Sequence, residues 1–270
     1  MSRHEVKGIS ESMDGIRYET KGWVAVISLN RPEKHNAMDS EMSAAFANAI
    51  VRAQDDRRIR SILLRGEGKS FCSGRDTAAL GVRPAGVSDF EHVSKSQSRK
   101  FNLIDSQKPV IAALRGHAVG GGFEIALHCD MRVASETARM SLPEIDHGII
   151  TDGGGSVITA ALAGASRAKY MLMTCEAVGA QQALQWGLVD FVVPDEELDA
   201  FALDLATKVA ARPPIHVAMA KMLIDGLQGE SIRRGIREEL IAITALYKTD
   251  DRQEAKAARA EKRKPEFKGS

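Results

Sequence analysis

PVIAALRGHAVGGGFEIALHCDMRVAS, residues 109–135, sets two apolar runs of strand length on either side of a glycine triplet and a short helical stretch. PVIAALRG (109–116) reads as a buried strand and DMRVAS (130–135) as another. Strand, helix, strand over so little chain predicts a right-handed crossover and a largely parallel sheet. The alternation continues on both sides. GWVAVISLN (22–30) predicts a strand closed by Asn30 and Pro32, and SILLRG (61–66) predicts a second. Between them Met42, Ala45, Phe46, Ala49, Ile50 and Ala53 recur at helical spacing behind Asp39 or Ser40 as cap. A long polar connection is expected around 77–95, then a helical stretch to about Ser106. Residues 157–185 alternate alanine-rich helical segments with turns, WGLVDFVVP (186–194) closes the main unit, and 195–260 reads as helix throughout. No repeat at a period of about 20–50 residues is present. The prediction is an α/β core over residues 1–195 with a helical C-terminal region over 196–270.

Composition bounds the function classes. The chain has 270 residues, 37 basic against 36 acidic, for a net charge of +1. Nothing in that balance calls for nucleic acid, a membrane surface or a polyanion as partner. Cys72, Cys129 and Cys175 are few and odd in number, which suits a reduced, cytoplasmic protein better than a disulfide framework. No run of about eighteen apolar residues exists to span a bilayer. The polar start, MSRHEVKGISESMDG, has the form of neither a secretory signal nor a transit peptide. A soluble, cytoplasmic protein is expected.

Two glycine turns carry the first chemistry. In GKSFCSGRD (68–76), Gly74 lets the chain turn sharply and aim the N–H of Arg75 into a cavity. Cys72 beside it reads either as a nucleophile or as a buried structural thiol. In HAVGGGFEIAL, Gly120, Gly121 and Gly122 lead into a helix start, where unpaired N–H groups favour negative charge. The spacing is not G-x-G-x-x-G, which argues against a dinucleotide cofactor. Two turns converging on one point would form an oxyanion hole. Glu124 follows Gly121 by one helical turn. Glu144 and Asp152 lie in MSLPEIDHGIITDGGGS (140–156). Carboxylates beside such a hole suit proton transfer at carbons next to an activated carbonyl. The plainer alternatives are a hydrogen-bonded helix-start carboxylate for Glu124, a surface turn for Glu144 and a helix cap for Asp152.

LNRPEKHNAM, GKSFCSGRD, AVGGGFEIAL, SLPEIDHGI, ALQWGLVDFVV and EKRKPEFKG, in that order, resemble the crotonase (enoyl-CoA hydratase/isomerase) superfamily over nearly the whole chain. The resemblance implies a spiral of ββα turns and a helical C-terminal region that assembles trimers, often paired as hexamers. It implies that the N–H groups of Arg75 and Gly121 hold the thioester oxygen of an acyl-CoA. Glu33, Lys34 and His35, with Asp76 and Gly120, match positions that border the CoA substrate. No further cofactor and no metal are implied, the coenzyme A being part of the substrate. In hydratases the residues matching Glu124 and Glu144 hold one water, Glu124 activating it for the β-carbon and Glu144 protonating the α-carbon. Asp152 stands where hydratases commonly have glycine. It matches a dienoyl-CoA isomerase pattern in which Glu144 and Asp152 shuttle a proton. Arg75 replaces a frequent alanine. The acyl pocket falls to the loop around 77–100, including LGVRPAGVSDFEHVS, and to the C-terminal helices. RNA binding through Arg252, Lys256, Arg259, Lys262, Arg263 and Lys264 is the rival from another class. Interleaved acidic residues make a solvated helix face the better reading.

Overall fold

The computed structural model describes residues 10–76 and 85–270, Lys100 by its backbone only. Part of the long connection expected around 77–95 thus lies outside the described residues, as does the start of the chain through residue 9. In chain order the elements are β1 (Ser10–Met13), β2 (Ile16–Lys21), β3 (Val24–Leu29), α1 (Ser40–Asp55), β4 (Ser61–Gly66) and α2 (Asp89–Ile104). Next come β5 (Val110–Leu114), β6 (His117–Val119), α3 (Gly121–Leu127), β7 (Met131–Ser135) and β8 (Arg139–Ser141). The chain continues through α4 (Gly155–Ala163), α5 (Ala165–Thr174), β9 (Val178–Gly179), α6 (Ala180–Trp186) and β10 (Phe191–Val193). It ends with α7 (Leu198–Ala210), α8 (Pro214–Gly226), α9 (Gly229–Leu246) and α10 (Asp250–Ala260). Among the described residues no helix is long and apolar enough to cross a membrane.

A seven-stranded sheet runs in the order β1-β2-β3-β4-β5-β7-β10, parallel from β3 onward, as the strand-helix alternation predicts. A small second sheet, β6-β8-β9, takes its strands from the chain between those of the first. Successive long strands are followed by a short extended piece of this second layer and then by a helix. β5 leads to β6 and α3, and β7 leads to β8 and α4. After β4 the short piece is only a pair of bridges, Cys72 with Ala118 and Arg75 with Met38. This is the ββα spiral implied by the resemblance, whose second layer is too short to register as a hydrophobic period.

Burial explains the unbroken apolar strands. All six residues of β3 are buried because both faces are covered. Ala25, Ile27 and Leu29 join the main core with Ile50 and Phe71. Val24 and Val26 face the other way, with Leu63 and Ile111, against Leu198, Ala202, Ala206 and Ala210 of α7. That four-residue alanine spacing lets α7 lie close on the sheet. Helix α1 begins as expected, with Asp39 Oδ1 accepting from Glu41 N–H at 3.1 Å and Met42 N–H at 2.9 Å. Two expectations change. Helix α2 starts at Asp89, inside the predicted connection, with Ser88 Oγ capping Glu91 N–H at 3.1 Å. The polar leader contains β1 and β2, whose alternating Ile16, Tyr18 and Thr20 point inward.

Candidate active site

Of the three opening glycines, Gly120 and Gly122 are the ones that must be glycine. Gly120 has φ +54°, and a Cβ there would come within 2.8 Å of Glu144 Oε1. A Cβ on Gly121 would sit 4.0 Å from Glu124 Oε2, ordinary contact with nothing to displace. A Cβ on Gly122 would lie 2.4 Å from Cys72 O, so Gly122 exists for close packing of α3 on the Cys72 strand piece. Cys72 N–H donates to His117 O at 3.0 Å and Val119 N–H to Cys72 O at 2.9 Å, which locks the two turns together.

Met38 N–H donates to Gly74 O, and Asp76 N–H to Met38 O, both at 2.8 Å. In that parallel bridge the Arg75 N–H faces the other side, toward Val119–Gly121. Gly74 has φ +90°, and a Cβ there would stand 2.7 Å from Val119 O and 3.4 Å from Gly121 N. The Arg75 N–H therefore lies on a turn packed directly against the one that carries the Gly121 N–H. Neither has a backbone acceptor among the described residues. Two adjacent donors of this kind suit negative charge developing on an oxygen.

Both border a cleft of about 1020 Å³, counting its open mouth. Gly120, Gly121, Arg75, Glu144 and Asp152 line it; Met38, Phe46, Ile125, Ile149 and Ile243 give it apolar walls. Glu144 begins a 3₁₀ turn, Glu144–His147, held from the C-terminal side by Arg252 Nη1 donating to His147 O at 2.7 Å. Its place on that turn beside Gly120 replaces the surface-turn alternative. Glu124, only 1 % exposed, lies beneath the glycines. Its Oε1 accepts from Gly153 N–H at 2.8 Å and Gly155 N–H at 3.1 Å. Those donors begin α4, a different helix from its own.

Asp152 is not the cap of α4. The cap position is Gly154, with φ +93° and no side-chain cap. Asp152 Oδ2 lies instead 3.5 Å from Arg75 Nη2, which also donates to Ser96 Oγ at 2.9 Å. Burial works against the charge on Arg75, but Asp152, Tyr247 and Glu124 more than offset it and hold its pKa above the ordinary value. Cys72 is a structural thiol: burial pushes its pKa up to about 12, too high for a thiolate nucleophile.

Glu33, Lys34, His35 and Asp76 do not line the cleft. Glu33 and Lys34 lie on the 3₁₀ turn Pro32–Lys34, His35 follows it, and Asp76 follows Arg75. Lys34 Nζ and Arg31 Nη2 reach Asp76 Oδ2 at 3.3 and 3.4 Å. His35 Nδ1 pairs with Ser70 Oγ at 2.9 Å. Ser73 N–H donates to His35 O at 2.9 Å, tying this rim to the Arg75 turn.

One site residue escapes the motif reading. Glu239, 4 % exposed on α9, accepts from Gly154 N–H at 2.6 Å, Ser156 N–H at 3.0 Å and Thr151 Oγ1 at 2.9 Å. The Ser156 hydroxyl donates to it as well. Burial first, then the nearby charge of Glu124, pushes its pKa upward. The signal was a carboxylate on the apolar stripe Gly235, Ile236, Leu240, Ile243 of an otherwise charged helix.

The chain is similar to known proteins over nearly its whole length. The chain is 33 % identical over 265 residues to a short-chain-enoyl-CoA hydratase of Clostridium acetobutylicum, covering 94 % of this chain and 97 % of that protein. It is 35 % identical over 248 residues to a 2,3-dehydroadipyl-CoA hydratase of Escherichia coli, covering 91 % and 95 %. An enoyl-CoA hydratase/isomerase crystal structure from Pseudoalteromonas atlantica superposes with a TM-score of 0.86 at 29 % identity, over 94 % of this chain and all of that one. A carnitinyl-CoA hydratase from Mycobacterium avium does so with a TM-score of 0.81 at 31 % identity, over 96 % of this chain and all of that one. The sequence profile of the enoyl-CoA hydratase/isomerase family matches residues 19–270, and the chain belongs to that family.

Proposed function

We propose that the protein is an enoyl-CoA hydratase, adding water across the 2,3 double bond of an acyl-CoA thioester. The observation that carries this reading is the pair of carboxylates, Glu124 and Glu144, flanking the Gly120–Gly121 backbone beside the Arg75 N–H. The thioester oxygen accepts from the N–H groups of Arg75 and Gly121, which draws electrons from the double bond and stabilises the enolate. Loss of one such donor typically costs about 3–4 kcal/mol in the barrier. Water sits between the two carboxylates. Glu124, its Oε1 anchored by two N–H groups, orients that water and helps activate it for the β-carbon. Glu144 delivers a proton to the α-carbon. Hydroxide and proton both come from the one water, so the addition balances with coenzyme A as part of the substrate and no other group.

Glu33, Lys34 and His35 border the path of the adenine and pantetheine end, with Asp76 setting the Lys34 and Arg31 side chains. The assembly is a homotrimer or a pair of trimers. Its support is α8 and the residue that follows it: Ile215, Met219, Met222, Leu223, Ile224 and Leu227 are all largely exposed in the single chain. The protein works in the cytoplasm, with no nucleic acid or membrane as partner.

Asp152 favours a second reading. It lines the cleft with Glu144, as an isomerase moving a proton along a dienoyl chain requires. Mass spectrometry of a 2-enoyl-CoA and a 3,5-dienoyl-CoA incubated with the enzyme separates the two. Gain of one water on the enoyl substrate is expected. No mass change, with a shifted ultraviolet spectrum of the dienoyl substrate, would replace hydration by isomerisation.

A further inference from the structure

The first turn of α4 offers its N–H groups to two carboxylates in strict alternation. Gly153 donates to Glu124, Gly154 to Glu239, Gly155 to Glu124 and Ser156 to Glu239. Helix starts accumulate unpaired N–H groups and positive potential, so anions there are stabilised. Here that single set of donors serves two buried acids from separate helices, α3 and α9. The segment that supplies the donors also carries Asp152 into the cleft. Thr151 and the Ser156 hydroxyl add two further bonds to Glu239.

Sequence and packing bring α9 close enough. Gly235 lies one turn before Glu239 on the same face, and a Cβ there would come within 2.2 Å of Val157 Cγ1. A Cβ on Gly154 would meet Ile236 Cδ1 at 3.2 Å. His128 completes the clamp from below, its Nε2 2.6 Å from Gly153 O.

We infer that Glu239 is a positioning residue for catalysis: by holding the Thr151–Ser156 turn from α9, it fixes the donors that aim Glu124 and the backbone that presents Asp152. It touches no reacting atom and acts through Glu124. The shared donor set makes the link direct. If Gly154 and Ser156 lose their acceptor, Gly153 and Gly155 lose their alignment, and Glu124 Oε1 shifts with them. Deep burial first, then the charge of Glu124, pushes the Glu239 pKa upward. The inference rests on the hydratase reading for its kinetics, and not for its structural half.

Glu239→Gln is the test. The amide turns an N–H₂ toward donors that need an acceptor, so the turn loosens while side-chain volume is kept. Hydration kcat is expected to fall about 10- to 100-fold, since small misplacement of a reacting group costs on that scale. KM should change much less than kcat, because Glu239 itself is not among the residues that line the cleft. In a Glu124→Gln background the same substitution should add almost nothing to the loss, as residues acting through one another are non-additive. Equal losses in both backgrounds, or an unchanged kcat, would overturn the inference. Hydrogen–deuterium exchange over residues 150–158 reads the structural half without turnover. Faster exchange there in Glu239→Gln is expected, and unchanged protection also defeats the idea. If that variant does not fold, Ser156→Ala removes one of Glu239's donors and should show the same pattern in smaller measure. A wild-type protein inactive on every enoyl-CoA would sink the hydratase reading alone and leave the exchange result to decide this one.

Discussion

At the scale of single residues, three neighbouring glycines do three different jobs, and their substitutions separate accordingly. Gly120→Ala places a methyl group 2.8 Å from Glu144 Oε1 at a positive φ. It should lower kcat by about 10- to 100-fold through displacement of that carboxylate, read by steady-state hydration. Gly122→Ala drives a Cβ to 2.4 Å from a backbone oxygen that cannot rotate away, so it should unfold α3 from its strand piece. A large drop in melting temperature is the expected result. Glu144→Gln keeps shape and removes the proton donor, and should cost about 10²–10⁴-fold in kcat. Near-full activity would contradict both mechanisms for this cleft. Asp152→Asn keeps an acceptor toward Arg75 and should leave hydration nearly intact, whereas an isomerase would be crippled.

At the scale of elements, helix starts do most of the positioning. Helix α1 is set by Asp39, which caps Glu41 and Met42 with Oδ1 and holds Arg31 at 2.8 Å with Oδ2. Asp39→Ala should lower stability by about 1 kcal/mol, within the usual range for a lost cap, measured by urea unfolding. Its cap was legible because a cap and the apolar period that follows are local in sequence. The start of α4 was not. Its cap position is Gly154, and the anions that satisfy it come from 29 residues upstream and 85 residues downstream. A local reading offered Asp152 as cap because it was the nearest acid, and tertiary packing brought better ones. The start of α2 was placed too late because its charged first turn, Asp89 and Glu91, reads as loop until Ser88 is recognised as its cap.

At the scale of the whole molecule, the exposed apolar face of α8 is the surface on which the proposed assembly rests. Leu223, 69 % exposed and flanked by Met222 and Ile224, is the place to break the assembly. Leu223→Asp should convert the proposed trimer into monomer in sedimentation velocity, with the fold kept by circular dichroism. By itself the sequence determined the strand-helix order of the main sheet from β3 onward, its largely parallel pairing, an α1 cap at Asp39 or Ser40, and the candidate glycines and carboxylates other than Glu239, because each is written in local period, turn chemistry or a motif. Only the tertiary structure decided that the turns of Arg75 and Gly121 pack directly together, that Asp152 pairs with Arg75, and that Glu239 shares donors with Glu124. Those relations join segments 29 to 88 residues apart. No local pattern encodes them, since they arise when two sheets and the covering helices bury their apolar faces together.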